Sequence, residues 1–422
     1  MLRFLRARAF VLALVMLQWG ILTTAAQEGP QVEVYSAGGA TEDSGGDIDA
    51  APVWRVPLDI KVSVTGGYDD NARTRSSENG GSFFTTAGLN LKYNFGTPRT
   101  RASLTSNAGF TYYTAADRFD PNLAANLSVQ HAVSERLSLS GNFDARYKIE
   151  PDFEIEGSSN RRSGNYFFNR DELSASYRWL PRVSTVTSYS FDTLQYEQTT
   201  AGEVRDRYQH RFNQSLRYLL LPTISLNGSY SLSLVNYEVD DRDSITHSIL
   251  AGVSSSIGPH LTASASAGAQ FHSSDRRAIA GSESAVSPSF QANLTYTLGP
   301  ETTLMWDARY GIEATSASSR GSGTFRTGLR LTYPLTARIG SSVAAYYRRY
   351  GSGATDVDLL DDAGRSEVFD LSINGHYKIS PSWRATASWH YTTVDSDRRF
   401  GFDGDSNSYS RNRYSLGLTV TF

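Results

Sequence analysis

The chain has 422 residues, no cysteine, a formal net charge of −3 and only 39% hydrophobic residues, while tyrosine and phenylalanine are abundant. Near-neutral charge offers no basic domain for nucleic acid, and the missing thiols exclude disulfides, thiolate metal sites and cysteine nucleophiles. A water-soluble chain of this length would need longer apolar stretches to build its cores.

The opening stretch MLRFLRARAFVLALVMLQWGILTTAA sets Arg3, Arg6 and Arg8 before an apolar run from Ala9 to Leu22, followed by small residues. This is the layout of a secretory signal peptide over residues 1–26, and the run is shorter than the ~20 residues of a spanning helix. Residues 27–56, rich in Gly, Ala, Ser and acids, read as a flexible periplasmic tail. No later run is long enough to cross a membrane as a helix, so a membrane-embedded mature chain must be a closed barrel.

From residue 57 to 422 the pattern is period two, which means strand. In PLDIKVSVTGGYDDN, Leu58, Ile60, Val62, Val64 and Tyr68 fall on one side and Asp59, Lys61, Ser63 and Thr65 on the other. The alternation returns in Phe83–Phe95, Arg101–Phe110, LSLSGNFDARYKI, ISLNGSYSLSL, LTASASAGAQF, SPSFQANLTYTL, TLMWDARYGI, LRLTY, FDLSINGHYKI and WRATASWHY. Between runs, short connections (GTP at 96–98, LPR at 180–182, LPT at 221–223, GPH at 258–260, GPE at 299–301, PLT at 334–336, SPS at 380–382, and AVSER near 133) take turns with long polar ones. The long ones include DDNARTRSSENGG, EPDFEIEGSSNRRSGN, EVDDRD, HSSDRRAIAGSES, GSGATDVDLLDDAG and DSDRRFGFDGDSNS.

Alternating tight turns and long loops predict an all-β, up-and-down antiparallel transmembrane barrel of about eighteen strands (16 to 20), turns toward the periplasm and loops outside. A soluble propeller with blades of about forty residues is the competing architecture. The aromatic residues argue against it. Trp179, Tyr218, Tyr296, Tyr333, Tyr377 and Trp383 gather beside the turns, and Phe110, Tyr112, Tyr147, Tyr189, Phe191, Phe271, Trp389 and Tyr391 toward the loops, as interfacial girdles do.

The chain finishes on YSLGLTVTF, where Tyr414, Leu416, Leu418, Val420 and Phe422 are expected to face lipid, and Ser415, Gly417, Thr419 and Thr421 the lumen. This stretch resembles the carboxy-terminal assembly signal of bacterial outer-membrane proteins, which implies the outer-membrane assembly machinery, membrane lipid and lipopolysaccharide as partners. With GYDDN at Gly67–Asn71, the acidic leader and the barrel length, the chain resembles the porin-like outer-membrane barrels found beside exopolysaccharide systems. That likeness implies a bacterial outer-membrane channel serving exopolysaccharide export.

Strand parity also sorts the charges. Lys61, Lys92, Arg101, Arg146, Arg178, Arg211, Arg217, Arg309, Arg326, Arg330, Arg338, Arg348, Arg384 and Arg413 are predicted to line the pore, with Lys148, Lys378 and Arg411 on the same set. Its acids are Asp59, Asp144, Asp192, Asp307, Glu313 and Asp370, and most others fall in loops. A basic bore beneath an acidic rim focuses potential and concentrates anions, so small anions or acidic polysaccharide are the expected solutes. Sixteen to eighteen strands leave an aqueous path. No loop is long enough to fold inward as a large constriction, so narrowing is expected from side chains or modest loops.

A structural or adhesive barrel without transport is the alternative, and a barrel-embedded hydrolase a further one. The hydrolase needs a serine, histidine and acid together, yet the hairpin near Pro381 keeps His376 and His390, the two histidines of this lumen face, apart. Asp403, Asp405 and Asn407 have the opening spacing of an EF-hand, but Ser408 replaces its glycine and Tyr414 its glutamate. No catalytic residue, cofactor or metal site is therefore assigned, and no nucleic-acid partner.

Overall fold

The computed structural model describes residues 58–422 except 75–79, 116, 150–163, 198–205, 239–242, 277–280, 300, 314–322, 351–365, 397–398, 401–404 and 407. The signal-peptide and tail segments, residues 1–26 and 27–56, lie outside the described residues.

The strands run in chain order as β1 (Leu58–Asp69), β2 (Ser82–Thr97), β3 (Thr100–Tyr113), β4 (Arg118–Ala132), β5 (Leu137–Lys148), β6 (Tyr166–Leu180), β7 (Val183–Tyr196), β8 (Arg207–Leu221) and β9 (Ile224–Tyr237). They continue as β10 (Ser244–Ile257), β11 (Leu261–Arg276), β12 (Gly281–Leu298), β13 (Thr302–Ile312), β14 (Gly323–Pro334), β15 (Ile339–Tyr350), β16 (Ser366–Lys378) and β17 (Trp383–Ser396). A small hairpin, β18 (Arg399–Phe400) and β19 (Asp405–Ser406), precedes the last strand, β20 (Tyr409–Thr421). The large strands form one 18-stranded antiparallel sheet. It closes on itself because β20 pairs with both β17 and β1, in the register Lys61↔Thr421 through Asp69↔Arg413.

No helix among the described residues is long and apolar enough to cross a membrane. The strands cross instead, and closure leaves no edge with unpaired backbone groups in lipid. Turns and loops alternate around the ring. The short turns sit where the sequence reading expects them, with Gly258 and Gly299 at φ of 66° and 71°, a region glycine enters without a Cβ clash. The stretch HSSDRRAIAGSES departs from expectation. Read as a long loop, it is mostly strand: β11 runs to Arg276 and β12 resumes at Gly281, paired as Arg276↔Gly281. Polar residues on both faces hide the alternation there, and cross-strand hydrogen bonding carries the hairpin on without it.

Parity is sharp. The exposed large apolar side chains are Val62, Val64 and Tyr68 in β1 and Tyr414, Leu416 and Leu418 in β20. Ser63, Thr65 and Gly67 on β1 pair with Thr419, Gly417 and Ser415 on the inner face. The girdle aromatics named above all lie on the outward set fixed by the ladders. The tips of Trp179 and Trp389 donate to Thr185 Oγ1 at 3.0 Å and Asn412 Oδ1 at 3.2 Å, the apolar-body, wet-tip habit of interfacial tryptophan.

An arginine on the lipid face near mid-height costs about 2–4 kcal/mol in a barrel. Ile249→Arg, at an outward position on β10, should lower folding stability in bilayers by that amount. The inward neighbour Ser248→Arg should change it by less than about 1 kcal/mol, which reversible denaturant titration in liposomes reads directly.

Candidate functional site: the inner wall

Inward-facing side chains divide into two zones. At the loop end they are buried almost all the way round: Asp69, Phe84, Tyr113, Asp120, Tyr166, Leu194, Val235, Ser274, Thr324, Arg348, Val368 and Val394 are each under a twentieth exposed. They gather into apolar clusters, Tyr166 with Phe168, Leu194 and Tyr196; Ala72 with Phe84 and Tyr113; and Val368 with Val394 and Tyr409. The inner wall is therefore closely packed at the loop end. The turn end is open, and its inward cations Lys92, Arg101, Arg178, Arg217, Arg330, Lys378 and Arg384 are exposed, with Lys61 half-buried.

Charge follows the same division. At the loop end, bases are paired with acids. Arg170 grips Asp192 with two bonds of 2.9 Å, Arg146 meets Asp144 at 2.8 Å, and Arg118 meets Asp120 at 2.6 Å. Glu313 takes Arg348 at 2.9 Å and Arg326 at 3.6 Å. Arg413 lies over the Phe84 ring, 4.2 Å from its centroid. Arg211 on β8 and Arg309 on β13 line one cavity from well-separated strands, so their side chains narrow the bore. Gln270 adds to the narrowing. From the inner face of β11 it accepts the backbone N–H of Ile312 at the top of β13, across the intervening β12.

At the turn end the pairing stops. Among the described residues no carboxylate comes within ion-pair distance of Lys61, Lys92, Arg101, Arg217, Arg330, Lys378 or Arg384. Arg178 donates to the Glu135 carbonyl at 2.7 Å. Arg338 sits in the turn before β15 rather than in the wall, its carbonyl accepting the Lys378 N–H. Between these zones, β6 to β13 enclose a cavity of about 730 Å³ walled by hydroxyls and amides, Ser188, Ser190, Ser229, Ser231, Ser248, Asn213 and Asn227 among them, with Arg211, Arg217 and Arg309 projecting in.

The structure adds inward charges that sequence reasoning missed: Arg118, Arg170 and Arg207, and the acids Asp69, Asp120 and Glu172. Arg170 and Glu172 flank Asp171 on a strand whose outward Asn169 and Asp171 are polar too, so alternation gives no signal there. Arg118 and Asp120 follow a four-residue connection too short to read as a loop. Three bases and three acids add no net charge, but Arg118 with Asp120, Arg170 with Asp192 and Asp69 with Arg411 tie loop-end charges into pairs.

The GYDDN motif has a mechanical role. Asp69, fully buried, takes the Arg411 guanidinium through Nε at 2.9 and 3.1 Å and accepts the Tyr113 hydroxyl at 3.4 Å. Asp70 accepts the Asn412 N–H at 2.7 Å and its side-chain amide at 2.9 Å, and Asn71 donates to the Ser410 carbonyl at 3.1 Å. A Cβ on Gly67 would collide with the Tyr414 carbonyl and the Phe84 ring. First and last strands are thus clasped at the loop end by side chains as well as by their ladder. His376 and His390 remain apart, as the hairpin requires: His376 pairs with Thr386 and His390 with Ser372. His390 Nε2 lies 2.5 Å from Asp370, which also accepts Thr392 at 2.8 Å, but among the described residues no serine is hydrogen-bonded to this imidazole. Asp403 and Asn407 lie outside the described residues, and Asp405 is in the small hairpin.

Removing one member of a buried ion pair strands the other and costs about 3–5 kcal/mol. Asp69→Asn should lower the denaturant midpoint accordingly and weaken the heat-resistant folded band on gels. Asp69→Leu with Arg411→Met should recover most of that loss.

No curated protein matches the chain. Among solved structures, the outer membrane protein opdK of Pseudomonas aeruginosa is 11% identical, with 86% of this chain and 99% of that one covered and a TM-score of 0.45. OccK2 (OpdF) of the same organism, solved in complex with glucuronate, is 12% identical over 86% and 98% with a TM-score of 0.43. OccAB4 of Acinetobacter baumannii is 10% identical over 88% and 100% with a TM-score of 0.42. The closed barrel is the fold that the family matched by residues 58–422 describes, and the chain belongs to that family, described as "Putative beta-barrel porin 2".

Proposed function

We propose that this outer-membrane porin-family barrel is an anion-favouring channel whose solutes include acidic glycans, that its turn end opens to the periplasm, and that it serves exopolysaccharide export after signal-peptide removal. The observation that carries the reading is the set of unpaired cations on the turn-end inner wall, Lys61, Lys92, Arg101, Arg217, Arg330 and Arg384. Cations on low-dielectric walls around water raise the local concentration of anions and repel cations. Hydroxyl and amide groups on the β6–β13 wall would exchange hydrogen bonds with a sugar without trapping it. Among the described residues the turn-end inner wall carries mostly Ser, Thr, Asn, Lys and Arg. Most loop-end bases are held in ion pairs, whereas Arg211 and Arg309 at mid-height join the turn-end cations without one, so selectivity is assigned to the middle and lower bore.

The closely packed loop end also suits a structural or adhesive barrel, and conductance separates the two. In planar bilayers with a salt gradient, the native barrel should show a reversal potential of the anion-selective sign. Changing Lys92, Arg101 and Arg384 together to Gln should bring it toward zero, and Arg170→Gln with Asp192→Asn, which removes a mutually neutralised pair, should leave it nearly unchanged. Cation selectivity, or insertion without conductance, would overturn the proposal.

A further inference from the structure

The unpaired cations are not evenly spread. Lys61, Lys92 and Arg101 lie at the turn end of β1, β2 and β3, and Lys378 and Arg384 at the turn end of β16 and β17, so only β20 separates the two groups. Lys378 and Arg384 are direct cross-strand partners. Like charges set opposite one another destabilise a sheet unless something neutralises them. Among the described residues nothing does.

The chain itself supplies a neutraliser. Glu28, Glu33, Glu42, Asp43, Asp47 and Asp49 precede the barrel, with Arg55 the one base between them and Leu58. That segment joins the wall at the start of β1, in the middle of the basic arc. The residues between Asp49 and Leu58 can span about 30 Å when extended and about 16 Å as a coil. Asp47 and Asp49 therefore reach both groups of cations. Tethering holds the acids near them at an effective concentration on the order of millimolar or more. Around Asp43 and Asp47 the sequence GGATEDSGGDIDAA is mostly small residues, suited to entering a side-chain-lined vestibule.

We propose that the acidic segment between Glu28 and Asp49 docks in the turn-end vestibule of its own barrel and competes there with anionic solutes. Each ion pair is exposed and weak, so docking is reversible: salt screens it and a polyanion displaces it. The channel then admits a long acidic chain more readily than scattered small anions, since many carboxylates displace the segment together. The docking stands on charge and tether alone, whereas the competition rests on the anion-channel reading.

Because the chain has no native cysteine, disulfide trapping is clean. Asp47→Cys paired with Thr419→Cys, inward on β20, should cross-link in the mature protein in liposomes. Asp47→Cys with Val420→Cys, the adjacent outward position, should not. The cross-link should fall several-fold between about 0.1 M and about 1 M salt, as the screening length shrinks from ~10 Å to ~3 Å, and likewise when Lys92, Arg101 and Arg384 become Gln. Deleting residues 28–49 should raise small-anion conductance about two- to tenfold at low salt and leave it unchanged at high salt. Cross-linking that ignores salt and the Gln substitutions overturns the docking. Trapping without any conductance keeps the docking and removes the channel reading, and trapping with conductance unaffected by deletion overturns the competition.

Discussion

A peptide group in hydrocarbon has no water to bond, and every other feature of this molecule follows from that. Only β20 returning to β1 satisfies the last row of N–H and C=O groups. Closure in turn makes inside and outside unequal at every residue, because lipid lies on one face of the wall and an aqueous interior on the other. The period-two alternation of side chains is the chemical consequence, and the girdles mark where hydrocarbon gives way to headgroups.

Closure also creates a weak seam, since the first and last strands are joined by no covalent turn. The GYDDN residues answer this at the loop end, where Asp69, Asp70 and Asn71 tie β1 to Arg411, Asn412 and Ser410. At the turn end the ladder alone continues, with Phe422 donating to the Ile60 carbonyl of β1. A clasp of buried charge is stable only where both partners are present together. It therefore requires the two ends of the chain to be side by side, and it penalises any arrangement that leaves the seam apart.

The wall was legible in the sequence and the mouth was not. Residues 414–422, the eight short turns and the aromatic belts follow from alternation and turn chemistry, both local properties. Positions such as Lys61, Lys92 and Arg384 needed only parity. What failed was non-local. Arg170 and Asp192 neutralise each other across neighbouring strands, which a count of bases along one face does not reveal. The burial of Tyr113, Tyr166 and Leu194 on the inner face comes from clusters that join neighbouring strands, which a pattern along one strand does not show. The β11–β12 hairpin shows the same limit, since cross-strand bonding extends it through residues whose own pattern reads as loop.

The two charge zones have a common cause in water. Where the inner wall is closely packed, a guanidinium loses its hydration and must gain a carboxylate, or the barrel is destabilised by several kcal/mol. Arg348 against Glu313 and Arg411 against Asp69 are the result. Where the bore is wide and wet, Lys92 and Arg384 keep their hydration and need no partner for stability, so their charge remains available to whatever enters. Ion pairing at the packed loop end and its absence at the open turn end thus require no separate selection for each residue, because both follow from how much water each level of the bore retains.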